Sequence, residues 1–110
     1  MKIAIPINGK KSEELAEHFG RCPAYAVLNE KGELTGTIDN TSEHAGGTGL
    51  PPELLKKQGI TILICKGIGP KAINACKEDG ITVYTTTAQT INQAFKEWEN
   101  NELKSATPCK

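Results

Sequence analysis

The sequence predicts an α/β fold in which a five-stranded mixed sheet, with one antiparallel strand, is flanked by helices. Mainly apolar runs at Lys2 to Ile7, Ala24 to Asn29, Ile60 to Cys65 and Ile81 to Tyr84, and a weak alternation of apolar and polar residues at Leu34 to Asp39, have the length and composition of strands. Helical signals at Pro51 to Gly59 and Pro70 to Asp79 separate the later runs, and a third at Thr90 to Glu99 follows them. The early runs are joined by short connections and the later ones by helical crossovers, so a hairpin and parallel units share one sheet.

Lys2 to Ile7 is the opening strand, with Pro6 near its end where a missing ladder donor is tolerable. Ser12-Glu13-Glu14-Leu15 has the composition of a capped helix start, and Gly20 would close a short helix. Glu30-Lys31-Gly32-Glu33 is a hairpin signal between the second and third strands. The helix after the glycine loop opens with Pro51-Pro52 and closes with Gly59, the usual asymmetry of helix ends. Ile60 to Cys65 is apolar enough to be buried on both faces. Ala72, Ile73 and Cys76 form an inward stripe on one helix, and Ile91, Ala94, Phe95 and Trp98 on the next.

If the hairpin makes the second strand antiparallel, the other four strands end at the same edge, where open sheets bind ligands. That edge gathers Asn8 and Gly9, the Glu17-His18-Phe19-Gly20-Arg21-Cys22-Pro23 turn, the loop Asp39 to Leu54 with His44, Gly46, Gly47 and Gly49, the Cys65-Lys66-Gly67-Ile68-Gly69-Pro70 turn, and Thr85-Thr86-Thr87.

Composition narrows the chemistry. The 110 residues suit one domain, and thirteen basic against thirteen acidic side chains leave no net field to draw a nucleic acid or an anionic membrane. Aromatic residues are too few and scattered for a base-stacking platform. No stretch reaches membrane-spanning length and the N-terminal segment lacks a signal-peptide pattern, so a cytoplasmic location is expected. The four cysteines, without C-x-x-C spacing, should be thiols there. Cys76 reads as packing, and Cys109 as incidental.

Gly67-Ile68-Gly69-Pro70-Lys71-Ala72 matches G-x-G-x-x-G/A, but Tyr84-Thr85-Thr86-Thr87 stands where a ribose-binding acid belongs, so the glycines read as a tight turn. Sheets of this order resemble the ribonuclease H architecture, yet the first strand has no acid, which excludes a two-metal nuclease. No oriented nucleophile, base and third group can be assembled around Cys22 and His18. Soft-metal binding remains: Cys22, Cys65, His18 and His44 are thiol and imidazole ligand candidates. The glycine N–H groups with Arg21, Lys66 and Gly67 suit an anionic cluster. A four-cysteine cage is missing, so a cluster would have few protein ligands and many outer contacts, which favours reversible carriage.

Met1-Lys2-Ile3-Ala4-Ile5-Pro6, Glu17-His18-Phe19-Gly20-Arg21-Cys22-Pro23, His44-Ala45-Gly46-Gly47-Thr48-Gly49, Lys66-Gly67-Ile68-Gly69-Pro70-Lys71-Ala72 and the threonine-rich start of the last helix occur in this order. Together they resemble the dinitrogenase iron–molybdenum cofactor biosynthesis family, which includes small stand-alone proteins and carrier domains of nitrogenase maturation. The resemblance covers residues 1–103 and leaves 104–110 as a loose tail. It implies a ribonuclease H-like three-layer fold and non-enzymatic, transient carriage of an iron–sulfur or molybdenum–iron–sulfur cluster, with a cluster-assembly or acceptor protein as partner. The family's F-G-R turn falls on Phe19, Gly20 and Arg21, and its histidine–glycine loop on His44, Gly46, Gly47 and Gly49. A metal-free small-anion or protein–protein regulatory module on the same edge is the alternative. The sequence sets no oligomeric state.

Overall fold

Three strands of the computed structural model carry no charged or amide side chain, and they occupy the middle of the sheet. The structure describes residues 2–9, 12–19, 22–39, 55–103 and 105. β1 (Ile3–Ile7), β2 (Ala24–Leu28) and β4 (Ile62–Cys65) are buried throughout, while β3 (Leu34–Asp39) is exposed except at Ile38, and β5 (Thr82–Thr85) is exposed at its ends with Val83 buried and Tyr84 half-buried. The five strands run in the order β3-β2-β1-β4-β5. β2 is antiparallel to both β1 and β3, and β4 is parallel to β1 and β5.

Burial on both faces requires two cores. One face packs Ile3, Ile5, Ile7, Leu28, Ile62 and Ile64 beneath α2 (Ile91–Glu99), through its buried Ile91, Ala94 and Phe95. The other packs Ala4, Tyr25, Val27, Leu63, Cys65 and Val83 beneath Leu55, in the helical turn 55–57, and Cys76 of α1 (Pro70–Glu78). A helix layer on each face of a mixed sheet gives the expected three layers. Thr90 caps α2, its side chain accepting from the Gln93 N–H at 3.2 Å. Of the interior positions expected of both helices, Ile73, Cys76, Ile91, Ala94 and Phe95 are buried, while Trp98 is half-buried against its core and Ala72 is half-buried outside either core.

Pro6 is compatible with a central strand because the parallel pairing with β4 covers Ile3 and Ala4 only, and beyond it Ala16 N–H donates to the Pro6 carbonyl at 3.0 Å. The hairpin forms around Asn29, whose Oδ1 accepts from the N–H groups of Lys31 and Glu33. Gly32 there has φ 85°.

The segment 12–19 is not the short helix its composition predicts. Its N–H groups are directed outward, Leu15 to Gln89 O at 3.0 Å and Phe19 to Gly67 O at 2.7 Å, so no i→i−4 ladder forms. Ser12 Oγ accepts from Glu14 N–H at 3.0 Å in a local turn instead of capping a helix. The physical reason is visible in two neighbours: Leu15 enters one core and Ala16 the other, the alternation of an extended chain. The segment is stitched by single bridges, Ile7 to Leu15, Glu14 to Thr90 and His18 to Gly67. At the other end, Leu103 packs on the first core and Ser105 bridges Tyr84 of β5. Among the described residues no helix is long and apolar enough to cross a membrane.

Candidate functional site

The C-terminal ends of β1, β3, β4 and β5 meet the N-terminal end of β2 at one rim, as the registers Ile7–Ala24, Ala24–Asp39 and Cys65–Thr85 require. Where β4 ends, the chain turns through Lys66, Gly67, Ile68 and Gly69 into α1. Gly69 is the N-cap residue but offers no side chain to the first N–H groups, Pro70 begins the helix, and its first turn contains no acid. The partial positive charge of this helix start is therefore uncompensated from within the helix.

This turn is held against the segment 17–19. Besides the Phe19 to Gly67 hydrogen bond, a Cβ on Gly67 would stand 2.7 Å from the Glu17 carbonyl oxygen and 3.3 Å from His18 Nδ1. Only glycine permits that approach. Between the two segments lies a cavity of about 440 Å³ lined by His18, Phe19, Gly67, Ile68 and Gly69. A second, of about 400 Å³, is lined by Lys66, Thr85, Thr86, Thr87, Glu97, Glu102 and Leu103. Thr86 Oγ1 donates to Glu97 Oε1 at 2.6 Å and accepts from Ala88 N–H at 2.9 Å, which fixes the wall of the second cavity.

Lys66 Nζ lies 2.9 Å from Glu17 Oε2 and 3.2 Å from Gln89 Oε1. The hydrogen bond from Lys66, reinforced by its charge, holds the Glu17 carboxyl below the usual carboxylate range. No local sequence pattern marks Glu17 or Gln89 as a partner of Lys66. They lie 49 and 23 positions from Lys66, so their pairing is set by topology and not by any local pattern.

The sequence-predicted residues divide into three groups. His18, Lys66 and Gly67 stand together on the rim, and His18 is exposed. Cys22 and Cys65 are buried at 2% and 0% exposure, packed in the second core with Cys76. Burial, with smaller contributions from Cys76 and Cys22, pushes the Cys65 thiol up to about 12. Burial and then the Asp79 carboxylate push Cys76 up to about 12. Arg21, His44, Gly46, Gly47 and Gly49 lie outside the described residues. Among the described residues no three of His, Cys, Asp or Glu converge in a way that could hold a metal. The described rim thus offers outer contacts to a guest, namely backbone N–H groups, an ammonium and an imidazole, rather than a ligand cage.

Comparisons with known proteins agree with this architecture. A family model described as dinitrogenase iron-molybdenum cofactor matches residues 1–101. An uncharacterized protein of Methanocaldococcus jannaschii is 34% identical over 110 aligned residues, covering 94% of this chain and 90% of its own. The apo form of the orange protein from Desulfovibrio gigas superposes with a TM-score of 0.84 at 24% identity, over 99% of this chain and 96% of that one. A Thermotoga protein provisionally assigned as NifB gives a TM-score of 0.79 at 24% identity, over 99% and 96%. At these identities the two structural likenesses concern the fold alone.

Proposed function

The chain belongs to the dinitrogenase iron–molybdenum cofactor family, and from that premise we propose that it binds and transiently carries an anionic metal–sulfur cluster, iron–sulfur or molybdenum–iron–sulfur, on the rim. The observation that carries the reading is the Lys66–Gly69 turn, which opens an uncapped helix start and Gly67 toward a cavity bordered by His18. Backbone N–H groups, the helix dipole and the ammonium suit the negative charge of such a guest. His18 and His44 would supply imidazole nitrogens, and Arg21, Gly46, Gly47 and Gly49 further outer contacts. Cys22 and Cys65 would serve as thiolate ligands only after leaving the core. On this reading the protein is a carrier and not an enzyme, works in the cytoplasm, and meets a cluster-assembly or acceptor protein. The apo form of the orange protein, a relative in fold, is in keeping with a removable group on this architecture.

Anaerobic reconstitution with iron and sulfide, with and without molybdate, tests the reading. A chromophore and bound metal that co-elute with the protein, and that are reduced in both His18→Ala and His44→Ala, are expected. A colourless, metal-free protein would instead favour a metal-free small-anion or protein–protein regulatory module. The burial of Cys22 and Cys65 is the observation that supports that second reading.

A further inference from the structure

Lys66 lines one rim cavity and its neighbour Gly67 the other, so the two cavities flank this dipeptide. The Lys66 side chain is only 14% exposed, and its ammonium is shared between the Glu17 carboxylate and the Gln89 side-chain oxygen. Its two partners are held differently. The Glu17 side chain is 74% exposed. Its backbone, by contrast, is fixed, because its carbonyl abuts Gly67 and the Phe19 N–H two residues on donates to the Gly67 carbonyl. The carboxylate can therefore rotate into solvent without moving the loop, while Gln89 keeps the ammonium in place.

Resting on the reading of this rim as an anion site, the geometry points to Glu17 as the residue that governs release: its carboxylate is a tethered competitor that reclaims Lys66 when the guest anion leaves. Tethering gives the carboxylate an effective concentration on the order of millimolar. A guest must displace it to reach the ammonium, and it stands ready to displace the guest in turn. Because the pair is exposed on the Glu17 side, opening it costs little and the exchange is reversible. A carrier needs this property, since a site that only tightens on its cargo cannot hand it on.

The test uses the full chain, with pyrophosphate as probe at constant ionic strength and no metal present, followed through the Gly67 amide resonance. Glu17→Gln should tighten pyrophosphate binding by about threefold, in keeping with loss of one exposed ion pair. Glu17→Asp keeps the charge but shortens the reach, so it should tighten binding similarly. In a Lys66→Gln background the Glu17 substitutions should have no effect. Tightening in Glu17→Gln but not in Glu17→Asp would overturn the proposal, because it would reduce Glu17 to a background charge. Equal binding in all proteins, or no binding in any, would overturn it too. None of these outcomes decides cluster carriage, which the iron and sulfide reconstitution reads independently.

Discussion

Gly32 and Gly67 both stand where no side chain fits, but for different reasons. At the hairpin, a Cβ on Gly32 would lie 2.6 Å from Phe95 Cε2, and the backbone has φ 85°, a left-handed conformation that costs any other residue energy. At the rim, Gly67 has no such backbone, and its Cβ would meet a carbonyl and an imidazole edge of the segment 17–19. The first glycine lets a turn close against the α2 core. The second lets two segments of the candidate site touch. One close approach therefore closes a turn on the core, and the other brings His18 beside the Lys66–Gly69 turn.

The largest expected effect breaks the first corner. Gly32→Ala combines left-handed strain with overpacking against the Phe95 ring, and should lower unfolding free energy by about 2–4 kcal/mol. Urea denaturation measures it. Adding Phe95→Leu should recover part of the loss, because the ring is the steric partner; strict additivity of the two changes would show that the cost is backbone strain alone.

Beneath the rim, Cys22, Cys65 and Cys76 all pack in the second core. Cys76→Ser should cost about 1–3 kcal/mol by placing a hydroxyl among apolar neighbours without a partner. The thiols also set an alkaline limit. With Cys65 and Cys76 pushed up to about 12 in the fold, the unfolded chain loses their protons first. Stability is thus retained below the ordinary thiol range and falls as pH rises toward about 12, by up to about 1.4 kcal/mol per pH unit for each thiol. Cys65→Ala should flatten that slope in urea midpoints recorded across the alkaline range. An unchanged slope would mean that this thiol ionises freely in the fold, as a ligand on an open rim would.

Gly67→Ala should affect stability less than Gly32→Ala, by about 1 kcal/mol, because the segment 17–19 can shift outward. Its expected signature is local. Hydrogen-exchange protection of the Phe19 amide should fall while that of β1 amides is retained, and metal retention after reconstitution should drop with it. Undiminished Phe19 protection would show that the two segments are held by something other than this contact.

The contrast also explains what could be read from sequence. The Gly32 hairpin, the apolar runs of β1, β2 and β4 and the inward faces of both helices follow from short-range patterns, and each was legible. The segment 12–19 was misread because Ser-Glu-Glu-Leu carries a helix-start composition, while its conformation is set by hydrogen bonds to Pro6, Gly67 and Gln89. Topology alone placed His18, Lys66 and Gly67 on one rim, since it follows from which strands are parallel. That Cys22 and Cys65 point into the core, and that Glu17 and Gln89 hold Lys66, depends on side-chain direction and on contacts far apart in sequence.

The smallest effect lies at the rim's ion pair and distinguishes a structural salt bridge from a movable one. Lys66 holds the Glu17 carboxyl below the usual range, so the folded state is favoured by this pair at pH values above the ordinary carboxylate titration. That contribution disappears as pH falls through the lowered value, where the folded carboxyl takes up its proton. Because Glu17 is exposed, the pair is expected to leave the urea midpoint at neutral pH essentially unchanged in Lys66→Met. The titration itself should move clearly: the Glu17 side-chain carboxyl resonance should show a low midpoint in the native protein and an ordinary one in Lys66→Met. A large loss of stability in Lys66→Met would make the pair a structural strut. An unshifted Glu17 midpoint would mean that the ammonium is not held at the carboxylate in solution, and the rim would then present it to a guest without a competitor.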